Sequence, residues 1–180
     1  KVAVYKENLY KPMPGYRFLA SNTDRSRYYV GELNGRSSKQ AYMDALHISE
    51  SNIINQNFHN PLGKMNGQDI CIISLKEVSG NGLCCYRQVN DSDVLVLLEE
   101  QDYNEILDET LQRIRRDFNH ISGVFSINCV FRYLLFSQEH HMEDYLKTMS
   151  TLGDHAGLIG FGEHYNQQFV NQTMTCVVFE

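Results

Sequence analysis

The sequence predicts an α+β fold: a mainly antiparallel β-sheet with two or three helices packed on it. Three observations carry the prediction. Short runs rich in branched and aromatic residues recur, punctuated by turn residues such as Asn34-Gly35 and Ser79-Gly-Asn-Gly82. Two longer stretches, residues 102–118 and roughly 131–149, place apolar residues at helical spacing. The last third, Gly123 to Glu180, alternates strand-like and helix-like segments in a fixed order, with polar residues at the junctions.

Taken in order, Val2 to Tyr5 reads as a short strand, and Pro12-Met-Pro14-Gly15 as a turn that a helix or central strand would not tolerate. Tyr16 to Ser21 and Arg27 to Leu33 are two further strands, the second ended by Asn34-Gly35. Ser37 with Gln40 three residues on is a capping-box pattern, and Ala41, Tyr42, Ala45 and Leu46 give the helix after it one apolar face. Ser49 to Phe58 is only weakly helical. Gln68 to Val78 reads as one long strand, returned through Ser79-Gly-Asn-Gly82 into Leu83 to Arg87 as a β-hairpin. Val94 to Leu98 is a buried strand, so the middle of the chain reads as an antiparallel meander. Asp102 followed by Glu105 opens a helix whose buried stripe is Leu107, Leu111, Ile114 and Phe118. Strands at 123–129, 156–162 and 171–179 and a helix over roughly 131–149 complete the chain.

Composition bounds the function. The length is that of one domain, so residues 1–180 are read as a single domain. A formal charge of −6 argues against a phosphate-neutralising surface. Arg113, Arg115 and Arg116 are the one tight basic group and lie among acids, so no nucleic-acid partner is expected. No apolar run is long enough to span a membrane, and residues 1–6 lack a signal-peptide core. Five cysteines, an odd number with several inside predicted strands, read as reduced thiols of a cytoplasmic protein. No loop cradles phosphate, because Gly157, Gly160 and Gly162 lie within a strand.

The junctions of the last third supply the candidate site. The strand at 123–129 ends in Asn128 and Cys129, and Arg132 follows three residues later. The next strand passes Gly160 and Gly162 to Glu163 and His164, and the last opens on Asn171 and Thr173. These nine residues are the candidate ligand-binding set. Two readings stand for each chemical group. Cys129 is a helix-N-terminal thiol with a lowered pKa, or a packed strand residue. Arg132 receives a ligand carboxylate, or pairs with a carboxylate such as Glu163 for structure. Together Arg132 and Glu163 suit the two ends of a free amino acid, by charge complementarity alone. The adjacent pair His140-His141 does not chelate well, since helical neighbours diverge by about 100°.

The order of these residues resembles the C-terminal half of the FIST family, sensory domains of bacterial signal-transduction proteins and of some eukaryotic F-box proteins. Ser126-Ile-Asn-Cys129-Val-Phe-Arg132, Gly157-Leu-Ile-Gly-Phe-Gly162-Glu163 and Val170-Asn171-Gln-Thr173 carry the likeness. So do Tyr29 to Gly35 with Ala41-Tyr42, and His59-Asn-Pro61-Leu-Gly63. Phe131 stands where the family usually has Gly, and Val170 where it often has His. The resemblance implies a cytoplasmic, small-ligand-binding sensory domain, not an enzyme, whose N-terminal half precedes this stretch. The ligand expected is an amino acid or related metabolite. The downstream partner expected is a signalling protein such as a histidine kinase, a chemotaxis receptor or a cyclic-dinucleotide enzyme. No cofactor is expected. Haem is the alternative, because some bacterial members are haem-based nitric-oxide sensors, with His155 or His164 as the axial ligand. A protein-interaction module without a small ligand is the other alternative.

Overall fold

The structure is a computed structural model that describes residues 1–67 and 69–180. Strand β1 (Val2–Asn8) leads into β2 (Tyr10–Asp24), β3 (Tyr29–Leu33), β4 (Arg36–Ser37), helix α1 (Ser38–Leu46) and the short helix α2 (Ile53–Gln56). Strands β5 (Leu62–Asn66), β6 (Asp69–Ile73), β7 (Leu75–Ser79), β8 (Gly82–Cys85) and β9 (Val94–Glu100) follow. The chain continues through α3 (Tyr103–Asp117), β10 (Gly123–Cys129), α4 (Val130–Gln138), α5 (Met142–Met149) and β11 (Asp154–Gly160). It closes with β12 (Glu163–Tyr165), β13 (Gln168–Val170) and β14 (Thr173–Phe179). The class is α+β with the antiparallel sheet dominant, as predicted, and five α-helices stand among the described residues in place of two or three. Two compact units form: Tyr10–Glu100, and Lys1–Leu9 together with Gln101–Glu180.

In the unit Tyr10–Glu100 the strands run β6-β5-β9-β2-β3-β8-β7, with β4 paired to β3. Here the meander and the single long strand at 68–78 are corrected. Gln68 lies outside the described residues, and the rest of the stretch is cut at Ser74 into β6 and β7 at opposite ends of the strand order. The cut has a physical cause: Asn57 Oδ1 takes the Leu75 N–H at 2.8 Å, and Tyr86 N–H donates to the Ser74 carbonyl, so the ladder stops there. Because β6 and β7 are one residue apart, the sheet must curl until its edges meet. The Pro12–Gly15 segment is part of that curl. It interrupts the β2–β9 register between Pro12 and Arg17 as a bulge within β2, so the predicted turn is a bend in a continuing strand. The core is one apolar cluster that includes Phe18, Val30, Leu33, Tyr42, Ile53, Leu62, Ile73, Leu83, Leu95 and Leu97.

Local signals in this unit read true. Ser37 caps α1 by accepting the Gln40 N–H, and Asn34-Gly35 closes the β3–β4 hairpin with both residues at positive φ, 55° and 71°. The segment His59–Gly63 is a brace: Tyr42 Oη donates to the Asn60 carbonyl at 2.7 Å, Asn60 Nδ2 donates to the Leu98 carbonyl, and His59 Nδ1 meets Glu100 at 2.7 Å.

The second unit has a four-stranded sheet in the order β1-β14-β10-β11. Its β10–β11 pair is parallel, which requires the crossover that α4 and α5 supply. The predicted helix over 131–149 is two helices, broken where His140 turns left-handed at φ 56°. Helix α3 follows its predicted stripe, with Leu107, Leu111, Ile114 and Phe118 buried and Asp102 accepting the Asn104 and Glu105 N–H groups. Asp102→Ala is expected to cost about 1 kcal/mol, measured by urea denaturation, because it orphans those donors.

Candidate functional site

The site lies in this second unit, where β10, β12 and β14 end together. Cys129 is the N-cap of α4, and the N–H groups of Phe131, Arg132 and Gln172 point at its sulfur. Such donors favour a thiolate, yet burial outweighs them and pushes the thiol up to about 11. Cys129 is thus a protonated, packed thiol that donates to Glu163.

Glu163 stands just past the turn at Phe161-Gly162 and is 2% exposed. The turn depends on Gly162, at φ 140°, where an added Cβ would lie 2.5 Å from the Phe169 ring. Thr173 Oγ1 donates to Glu163 Oε2 at 3.2 Å, while Oε1 has no hydrogen-bond partner. Burial raises this carboxyl from 4.5 to about 7 against those donors. Gly160 and Asn171 border it: a Cβ on Gly160 would lie 3.5 Å from Glu163 Oε1, and Asn171 Oδ1 lies 3.7 Å from where a Gly162 Cβ would be. Asn171 Nδ2, also buried, has no partner.

Arg132 is 1% exposed and pairs with Glu7 of β1, so the structural partner expected at Glu163 is elsewhere. The guanidinium also lies 4.7 Å from the Phe136 ring centre and 5.5 Å from that of Tyr145. One terminal nitrogen serves Glu7, and Nε and the other terminal nitrogen have no partner. The Arg132 charge lowers the Glu163 carboxyl, but burial outweighs it.

Asn128 faces another way. Its Nδ2 donates to Tyr145 Oη at 2.9 Å, and Tyr145 Oη donates to Ser126 Oγ at 3.3 Å, which lies 2.9 Å from His155 Nε2. These residues line a cavity of about 320 Å³ whose other walls include Tyr133, Met142, Leu146 and Leu158. His164 is exposed on the β12–β13 hairpin with its ring against Phe169. Cys129, Gly160, Gly162, Glu163, Asn171 and Thr173 are therefore brought together, Arg132 is turned to Glu7, and Asn128 and His164 point elsewhere. Of the two histidines named with haem, His155 has Nε2 against Ser126 Oγ and His164 stands on the exposed β12–β13 hairpin.

The family model for the FIST C domain matches residues 39–166. The chain belongs to that family. As a FIST C domain it is a sensory domain of signal transduction. No curated protein and no solved structure matches it. The FIST C match takes in Cys129, Arg132 and Glu163 but ends before Asn171 and Thr173, and it begins after Glu7. No helix among the described residues is long and apolar enough to cross a membrane.

Sequence reasoning missed Glu7, Tyr145 and the Ser126–His155 contact. Glu7 had a signal: it sits two residues after Tyr5, on the face of β1 that the strand buries. The strand reading stopped at Tyr5 and so lost it.

Proposed function

We propose that this FIST C chain binds a small zwitterion, an amino acid or a related metabolite, as the input it senses. The observation that carries the reading is the buried Glu163 Oε1, an acceptor left without a partner. The same unit holds leftover donors of the opposite kind, on Asn171 at the same junction and on Arg132 where it faces Glu7. A ligand ammonium answers Glu163, and a ligand carboxylate answers the guanidinium edge that Glu7 does not use. Binding would order the junction of β10, β12 and β14, and the signal would pass to a partner such as a histidine kinase, a chemotaxis receptor or a cyclic-dinucleotide enzyme.

A second reading is an interaction module without a small ligand. It draws on the exposed end of β11, where Leu158, Ile159 and Phe161 face solvent, Phe161 at 90% exposure. A thermal-shift screen against free amino acids separates the two. A ligand at a hundred times its Kd adds about 2.7 kcal/mol, and the expected result is stabilisation of the parent but not of Glu163→Gln. If no amino acid stabilises the parent, or if the variant responds equally, the zwitterion reading fails and the interaction reading takes its place.

A further inference from the structure

The cavity of about 320 Å³ lies apart from the Glu163 junction, between α5 and the β10–β11 pair. Its walls are mostly apolar: Tyr133, Met142, Leu146, Ala156, Leu158 and Ile159. Pockets of this size and character hold one- or two-ring molecules, positioned by a few polar groups. The polar groups here form a directed chain. Tyr145 spends its only proton on Ser126, so it must accept from Asn128. Ser126, accepting from Tyr145, has its own proton left for His155 Nε2.

A serine hydroxyl can also accept twice, so the tautomer of His155 decides which way this last contact runs. A neutral His155 that accepts at Nε2 carries its proton on Nδ1. The partial burial of His155 lowers its pKa and favours the neutral ring that such an arrangement requires. With Ser126 as the donor, Nδ1–H becomes the polar group that His155 brings to a mostly apolar cavity wall.

We infer that this cavity is a second binding site, for a small neutral molecule with a flat apolar body and one hydrogen-bond acceptor received by His155 Nδ1–H. The inference goes beyond the zwitterion reading and shares none of the Glu163 groups, so either can fail alone. A ligand seated there touches α5 and edge strand β11 at once and braces the two together.

The test uses acetophenone, which has a carbonyl on a flat ring, and α-methylstyrene, which has the same shape with CH₂ in place of the oxygen. The ¹⁵N spectrum of the full chain is expected to show His155 as the Nδ1–H tautomer. Acetophenone is expected to shift that nitrogen together with Met142 and Leu146, and to bind at least about 10-fold more tightly than α-methylstyrene. Ile159→Trp, at a half-exposed cavity-wall position on the same sheet face as Asn128 and in a strand that tolerates aromatic residues, is expected to abolish both interactions while leaving the fold intact. An Nε2–H tautomer, equal affinity for the two probes, or undiminished binding to Ile159→Trp would each overturn the inference.

Discussion

Glu163→Gln is expected to stabilise the protein at pH 8 and leave it nearly unchanged at pH 4.5. The Glu163 carboxyl is raised from 4.5 to about 7 by burial, so the folded state holds a proton that the unfolded chain has already released. Its contribution is complete below the unfolded value and is lost as pH rises through 7. At about 1.36 kcal/mol per pH unit, the parent gives up about 2–3 kcal/mol across that window. Gln keeps the shape and the acceptor for Thr173 but carries no charge to desolvate. Urea denaturation of both proteins at several pH values checks this. If the two stability curves run parallel from pH 4.5 to 8, Glu163 is not the buried acid, with one oxygen unpaired, that the site requires. The same variant is expected to lose affinity for an ammonium-bearing ligand. A gain in stability with a loss of binding is the pattern of a residue kept for its function.

The second large effect concerns Arg132 and Glu7. Arg132→Met leaves a carboxylate buried without its partner and is expected to cost about 3–5 kcal/mol. Adding Glu7→Leu removes that carboxylate, and the double variant is expected to return to within about 1–2 kcal/mol of the parent, since a buried pair recovers little more than its own desolvation. Denaturation midpoints for the parent, both single variants and the double variant complete the cycle. Strict additivity of the two single effects would mean that Arg132 and Glu7 do not depend on each other. The ring contacts of Arg132 with Phe136 and Tyr145 are the reason Met is chosen, since it keeps apolar bulk against both rings.

Elements whose signals are local were legible in the sequence. Ser37 and Asp102 cap their helices as read, the Asn34-Gly35 and Gly80-Asn81 turns stand where expected, and β10 has its predicted bounds. What escaped was decided at long range. Arg132 and Glu7 are 125 residues apart in sequence, and nothing local tells a buried arginine which carboxylate it will meet. The break at His140 carries no Gly or Pro to mark it, and the cut at Ser74 depends on a side chain from Asn57. The β12–β13 hairpin was read as the end of one strand and the approach to the next, because Glu163 to Val170 has too few apolar residues for either strand to show an alternation. For the site, the cluster of Cys129, Glu163, Asn171 and Thr173 was legible because all of them stand at strand ends. The direction of Arg132 was not.

The unit that carries the site is built from both ends of the sequence, and Leu9 and Gln101 meet in a backbone hydrogen bond of 2.8 Å. During synthesis, Tyr10–Glu100 has every strand of its sheet as soon as Glu100 has emerged. By contrast β1, with Glu7, pairs with β14 at residues 173–179, which is made long after it. Chain synthesis at about 5–20 residues per second makes that interval on the order of ten to thirty seconds. The Glu7–Arg132 pair and the strand that covers it are therefore complete only once nearly all of residues 1–180 have been made.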